Sequence, residues 1–162
     1  MYPPQVLGIA EQALDACRSA GLKLAVAESC TGGLIGGCLT SISGASDVFE
    51  KGFITYANEA KTDLVGVPEE MLAEHGAVSE PVARAMAEGT LQGGVDIAVS
   101  VTGIAGPGGG SDEKPVGLVH IAAARTGADT LHQSEVFRGD RDAVRMQAVE
   151  AVLNLLLKQA QP

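Results

Sequence analysis

Ser29 lies in the segment AESCTGG, residues 27–33, directly after a short run, KLAVA, that is typical of a buried strand. A turn that leaves such a strand and opens a helix lies at the sheet edge where α/β proteins bind ligands. Main-chain N–H groups at the helix start can then stabilise an oxyanion or bind a phosphate. A catalytic or phosphate-binding turn is one interpretation, and a simple helix cap by Ser29 or Thr31 is the other. The segment is not a G-x-S-x-G elbow, because Ala27 replaces the first glycine, and it lacks the lysine of a P-loop.

Lys61 closes a second segment, YANEAK, residues 56–61, where a strand ends and a short helix is predicted. If Asn58 caps that helix, Lys61 lies in its first turn, where a cation opposes the helix dipole. A lysine whose pKa is lowered by desolvation can act as a general base, and Tyr56 could relay a proton or hold the amine. The alternative is a solvated surface lysine beside a half-buried tyrosine.

Two further segments could bind a nucleotide or an anion. The buried run VDIAVSV, residues 95–101, is followed by Thr102, Gly103 and a glycine-rich loop whose main chain could approach a ligand closely, although residues 108–114 also suit a mobile surface loop. Arg141 and Arg145 are spaced i, i+4 and share one face of the last helix near its N-terminus, which favours an anion site. Their alternative is pairing with Asp142 and nearby acids.

The elements that must position these residues alternate between helix and strand. Apolar spacing, caps and glycine stops predict helices over 4–20, about 31–40, 58–64, 69–75 and 79–92, and one from Asp140 onward, with Ser79 and Asp140 as N-caps. Strands are predicted over 23–27, 49–57, 95–101, 118–125 and 131–138, the last two as a hairpin. This order predicts one α/β domain over residues 1–162, layered around a mixed sheet.

Composition restricts the partners. The 162 residues carry a net charge of −9 and only 3% aromatic side chains, which disfavours nucleic acid and anionic membranes and leaves a small anionic ligand. The 21 glycines indicate turns, close packing and a site lined by main chain. Dispersed histidines and cysteines without metal-site spacing predict no metal, and we expect no cofactor.

The compartment and the oligomeric state can also be predicted. Neither a signal peptide nor an apolar run of 18 residues is evident, so we expect a cytoplasmic protein with reduced thiols. The glycine-rich second helix and exposed apolar positions predict a homo-oligomer, with a dimer as the favoured form.

Six blocks occur in a fixed order along the chain: AESCTGG, GFITYANEAK, HGAVSEPVA, SVTGIAGPGGG, EKPVG and FRGDRDAVR. Together they resemble the CinA C-terminal domain family, in the short form whose stand-alone bacterial members are nicotinamide-nucleotide amidases. The resemblance implies a three-layer α/β/α fold with a mixed, mostly parallel sheet. It also implies hydrolysis of the carboxamide of nicotinamide mononucleotide to nicotinic acid mononucleotide and ammonia.

By this resemblance Ser29 is the nucleophile, Lys61 is the base and Tyr56 accompanies them. We expect N–H groups around Cys30, Thr31, Gly32 and Gly33 to hold the oxyanion. The expected substrate contacts are listed together: Asn58, Thr102, Gly103, Arg141 and Arg145, the two arginines for the phosphate. A non-catalytic nucleotide-binding or regulatory module linked to competence or DNA damage remains the alternative, and a different nucleotide hydrolase is a third.

Overall fold

A five-stranded sheet with helices on both faces positions these residues. The computed structural model describes all 162 residues. Its strands are β1 (Leu24–Glu28), β2 (Phe49–Ile54), β3 (Ile97–Gly103), β4 (Leu118–Arg125) and β5 (Leu131–Val136). Its helices are α1 (Pro4–Ala20), α2 (Leu34–Thr40), α3 (Asn58–Val65), α4 (Glu69–His75), α5 (Glu80–Thr90) and α6 (Arg141–Ala160), with a single 3-10 turn at Ala45–Asp47.

The sheet has the strand order β2-β1-β3-β4-β5. The strand β1 pairs in parallel with β2 and β3, whereas β4 runs antiparallel to β3 and β5, so four strands share one direction. The chain leaves β1 toward β2 on one side and returns to β3 on the other. The carboxyl ends of β1 and β3 therefore flank a topological switch point, where open α/β sheets bind ligands.

Alternation along the strands separates two apolar layers. Val26, Val99 and Ile121 face α1, α2 and α6 in the larger cluster. On the other face, strand alanines meet alanines of α5, and these small side chains let the helix lie close to the sheet. Residues of β1 are buried throughout because both faces are covered. The predicted three-layer α/β/α fold with a mixed sheet is confirmed.

Local differences from the predicted elements have identifiable causes. The second helix begins at Leu34 because Gly32 and Gly33 form a turn with φ of +55° and +106°, a region that favours glycine. Asn58 is the first residue of α3 and not its cap, which is Ala57. Asp140 caps α6 as predicted, accepting a hydrogen bond from the Ala143 N–H at 2.9 Å.

Ser79 is the N-cap residue of α5, as predicted, but its side chain bonds elsewhere. The side chain makes no capping bond. Instead, its hydroxyl donates to the carbonyl of Gly76 at 2.8 Å. The hydroxyl therefore holds the preceding turn.

The glycines of α2 pack against this chain's own residues. A Cβ at Gly37 would lie 2.6 Å from the Tyr2 hydroxyl, and one at Gly36 would meet Glu28 at 3.6 Å. The homodimer thus stays a prediction that rests on exposed apolar side chains such as Ile54. None of the helices combines the length and apolar character that crossing a membrane requires.

Candidate active site

A cavity of about 300 Å³ opens at the carboxyl ends of β1 and β3. Ser29 and Lys61 lie in its wall together with main chain of the glycine-rich loop. Four of the lining residues are glycines, at which main chain forms the cavity wall: Gly103, Gly106, Gly108 and Gly109.

Ser29 is anchored in the turn that follows β1. Its N–H donates to the carbonyl of Val101 in β3 at 3.1 Å, so the turn is tied to the neighbouring strand. Only 8% of the residue is exposed. The side chain does not cap α2, whose N-cap is Gly33. Ser29 therefore presents its hydroxyl to the cavity and not to the helix.

The N-terminus of α2 is held by Glu28, a residue that sequence reasoning missed. Its buried carboxylate accepts from the N–H groups of Gly33, Ile35 and Gly36 at 2.8–3.1 Å and from the Thr31 hydroxyl at 2.6 Å. A carboxylate at a helix N-terminus also complements the helix dipole. The acid immediately before Ser29 was the available signal, since acidic residues favour the starts of helices.

Lys61 reaches Ser29 from the first turns of α3. Its Nζ lies 3.1 Å from Ser29 Oγ, 2.7 Å from the Thr55 carbonyl and 3.2 Å from the Tyr56 carbonyl. In the neutral amine, two N–H bonds can go to the carbonyls while the lone pair accepts the Ser29 proton. This is the geometry that a nucleophile and its general base require.

The surroundings of Lys61 favour this neutral form. The residue is 1% exposed, and no carboxylate lies within ion-pair distance of its amine. Burial lowers the pKa of Lys61, opposed only by a smaller effect of the nearby Cys30. The interpretation of Lys61 as a solvated surface lysine is therefore wrong.

The neighbouring thiol is poorly suited to attack. Cys30 also lines the cavity, but burial raises its pKa to about 11. The thiolate is the reactive form of cysteine, and it is scarce at neutral pH under such a pKa. Cys30 belongs to the larger apolar cluster, as the sequence predicted.

The turn leaves two main-chain donors without partners. The N–H of Gly32 donates to the Ser29 carbonyl and that of Gly33 to Glu28. The N–H groups of Cys30 and Thr31 donate to no oxygen atom of the chain. These two N–H groups, which follow Ser29 directly in the chain, are therefore the free candidates among the expected oxyanion donors.

The rim of the cavity carries Tyr56 and Arg141. Tyr56 is 61% exposed, and its hydroxyl lies 3.3 Å from an Arg141 nitrogen. Arg141 also donates to the Gly106 carbonyl at 2.8 Å. The phenol therefore contacts Arg141, while only the main-chain carbonyl of Tyr56 contacts Lys61. This geometry favours a role for Tyr56 at the rim over a proton relay.

The other predicted substrate contacts divide into two groups. Asn58, Thr102 and Gly103 line the cavity, and Thr102 Oγ1 donates to the Ala77 carbonyl at 2.9 Å. Arg145 does not line the cavity. Its guanidinium instead donates to the carbonyls of Cys30 and Thr31. Outside the lining residues are also Thr31, Gly32 and Gly33.

Metal-ligating side chains form no cluster of three or more histidine, cysteine, aspartate or glutamate residues. His120 Nδ1 and His132 Nε2 face each other at 2.9 Å, and Glu80 lies 3.6 Å from His132. Neither histidine lines the cavity.

Comparison with known families decides which family this is. The model described as the CinA C-terminal domain matches residues 7–160. The chain belongs to the CinA C-terminal domain family. Relatives in this family differ in length. The nicotinamide-nucleotide amidohydrolase PncC of Escherichia coli strain K12 is 49% identical over 160 residues, covering 98% of this chain and 97% of that protein.

A CinA-like protein of Syntrophobacter fumaroxidans is 55% identical over 140 residues, which are 86% of this chain but 33% of that protein. Among solved structures, the competence/damage inducible protein CihA from Agrobacterium tumefaciens aligns with a TM-score of 0.96 at 44% identity, over 99% of both chains. This family domain thus occurs both as nearly a whole protein and as one third of a longer one.

Proposed function

We propose that the protein is a nicotinamide-nucleotide amidase that hydrolyses the carboxamide of nicotinamide mononucleotide to nicotinic acid mononucleotide and ammonia. The observation that carries the proposal is the distance of 3.1 Å between the Lys61 amine and Ser29 Oγ at the cavity wall. The lysine is buried and has no carboxylate partner. The 49% identity to a nicotinamide-nucleotide amidohydrolase over nearly the full chain supports the substrate class.

Acylation begins with a proton transfer. Neutral Lys61 takes the proton of Ser29 Oγ as the oxygen attacks the amide carbon. The carbonyl oxygen becomes an oxyanion held by the free N–H groups of Cys30 and Thr31, and one such donor contributes roughly 3–4 kcal/mol in a comparable site. When the C–N bond breaks, the Lys61 ammonium gives its proton to the leaving amide nitrogen, which departs as ammonia.

Deacylation repeats these steps with water. Lys61, neutral again, takes a proton from a water molecule whose oxygen attacks the acyl carbon. The bond to Ser29 Oγ breaks, and Lys61 returns the proton to that oxygen. One water is consumed, one carboxylic acid and one ammonia are formed, and both side chains regain their starting states.

Arg141 is the candidate for the phosphate of the nucleotide. It lies at the cavity rim, where two of its guanidinium nitrogens already have partners and its remaining N–H groups are free to donate. The N–H groups of Gly108 and Gly109 in the adjoining loop have no partner in the chain and can add to an anion site. The nucleotide then lies along Thr102 and Gly103 with its carboxamide at Ser29.

A non-catalytic nucleotide-binding module explains less. Burying an amine without a carboxylate partner is costly, and binding alone gains nothing from placing it on a serine hydroxyl.

The three buried cysteines carry no disulfide, which favours the cytoplasm as the place of action.

The direct test is ammonia release. Purified protein is incubated with nicotinamide mononucleotide, with and without a metal chelator, and ammonia is measured by a coupled enzyme assay. We expect equal release in both arms. No release would overturn the amidase proposal in favour of a binding module, and release that the chelator abolishes would favour a metal hydrolase.

A further inference from the structure

Arg145, a residue of α6, donates two hydrogen bonds to the turn that follows Ser29. Its Nε donates to the Cys30 carbonyl at 3.1 Å and its Nη2 to the Thr31 carbonyl at 3.2 Å, across 114 or more positions of sequence. The Gly32 backbone packs beneath it, since a Cβ there would lie 3.6 Å from Nη2. Both contacts are to main-chain oxygens of one short turn.

These two contacts fix the direction of two amides. In a planar trans peptide the C=O and N–H groups point in opposite directions. The Cys30 carbonyl shares its peptide with the Thr31 N–H. Because Arg145 holds the carbonyl on its own side, the Thr31 N–H points away from the guanidinium.

The second contact reaches the other free donor through one intermediate bond. The Thr31 carbonyl shares its peptide with the Gly32 N–H, which donates to the Ser29 carbonyl at 3.0 Å. That carbonyl in turn shares its peptide with the Cys30 N–H. Holding Thr31 therefore sets the Gly32 N–H, the Ser29 carbonyl and finally the Cys30 N–H.

The opposite end of the turn is held by Glu28, which accepts from Gly33 and from the Thr31 hydroxyl. With both ends fixed, the orientation of the N–H groups of Cys30 and Thr31 is set before any substrate arrives. Preorganised donors of this kind act most strongly on a developing oxyanion. A guanidinium suits the task because its planar fork can donate to two carbonyls at once.

We propose that Arg145 is a positioning residue that aims the oxyanion donors of Cys30 and Thr31, and not a ligand of the substrate phosphate. The proposal rests on the proposed amidase function for the identity of the substrate, but its structural content concerns any attack by Ser29. It assigns different kinetic effects to the two arginines, although they lie one helical turn apart: loss of Arg145 lowers kcat, whereas loss of Arg141 raises KM.

The test compares Arg145→Ala with Arg141→Ala on nicotinamide mononucleotide and on its phosphate-free riboside. For Arg145→Ala we expect kcat to fall on the order of 100-fold, with KM little changed and the same loss on both substrates. For Arg141→Ala we expect KM to rise for the nucleotide only. A loss in Arg145→Ala confined to KM of the nucleotide would overturn the proposal and make this arginine a phosphate ligand.

A second readout does not depend on the substrate. A fluorophosphonate reacts with the serine oxygen, which displaces fluoride from phosphorus while Lys61 accepts the hydroxyl proton. The phosphoryl oxygen then needs the same donors, so Arg145→Ala should slow labelling on the order of 100-fold. Labelling at the wild-type rate would overturn the proposal. If the nucleotide is not hydrolysed at all, the amidase assignment fails while this readout still tests Arg145.

Arg145→Lys separates positioning from folding. A lysine keeps the charge but lacks the planar fork that spans the two carbonyls. We therefore expect labelling and kcat between those of wild type and Arg145→Ala, with a thermal midpoint near that of wild type. If Arg145→Ala does not fold, Arg145→Lys carries the test: full activity and full labelling in that variant would contradict a need for the two-carbonyl fork.

Discussion

The amine of Lys61 lies 3.1 Å from the hydroxyl oxygen of Ser29, and the lysine is 1% exposed. The two residues are 32 positions apart in the chain and are brought together because β1 and β2 end side by side in a parallel pair, with Glu28 opposite Ile54. Ser29 follows the first strand directly, and Lys61 lies one turn into the helix after the second. The parallel register of two strands thus sets the distance between the Lys61 amine and the Ser29 hydroxyl.

The pH dependence of the reaction follows from burial of Lys61. Burial lowers its pKa below the ordinary lysine value of about 10.4, and the base must be neutral. We expect kcat/KM to rise with pH through this lowered pKa and to be lost below it. The unfolded chain binds this proton more tightly, so the free energy of unfolding should also rise with pH between the lowered and the ordinary pKa.

A pH series of kcat/KM for wild type and Lys158→Met checks this expectation. Lys158 is exposed on α6, so its removal should leave the profile in place. Lys61→Met should be inactive at every pH. A wild-type midpoint at the ordinary lysine pKa would argue against a desolvated base.

Glu28 should matter for both stability and turnover. In Glu28→Gln, a single amide oxygen and an NH₂ group must face the N–H groups of α2 that the carboxylate now accepts. We expect the free energy of unfolding to fall by about 1–3 kcal/mol, measured by urea denaturation. Activity should fall as well, because the same side chain fixes the turn after Ser29.

The matched control for Glu28→Gln is Glu11→Gln, which removes an exposed carboxylate of α1 that makes no hydrogen bond or ion pair in the chain. It should change the free energy of unfolding by less than about 0.5 kcal/mol. Equal stability of the two variants would contradict the capping role of Glu28.

Reagents that distinguish thiols from hydroxyls test which side chain attacks. Burial raises the pKa of Cys30 to about 11, so iodoacetamide at neutral pH should leave ammonia release unchanged. A fluorophosphonate should inactivate the protein and add one label, located by peptide mass spectrometry at Ser29. Inactivation by iodoacetamide with modification at Cys30 would point to the thiol instead.

Much of the fold could be predicted because periodicity reports burial. The stripe of α1 and the buried runs of β1 and β3 follow directly from apolar spacing. The capping role of Glu28 was not predictable from spacing alone, because its carboxylate turns back onto residues up to eight positions ahead. Asn58 illustrates a boundary error of one residue, since Ala57 precedes the first turn of α3.

The sequence predicted a set of candidate site residues but not their geometry. Four segments that are far apart in the sequence meet because β1 lies between β2 and β3 in the sheet. The spacing of Arg141 and Arg145 placed both on one helix face, yet only Arg141 reaches the cavity. Sequence could not show that the second guanidinium is already occupied by the Cys30 and Thr31 carbonyls, because those partners lie more than 100 positions away.

The central claim is that Ser29 is the nucleophile of an amide hydrolysis, and ammonia release by Ser29→Ala tests it most directly. Ser19→Ala, on the exposed side of α1, is the matched control, and circular dichroism establishes that both variants are folded. With nicotinamide mononucleotide, we predict wild-type release from Ser19→Ala and release from Ser29→Ala lower by at least about 1,000-fold. Full ammonia release from folded Ser29→Ala would contradict the account.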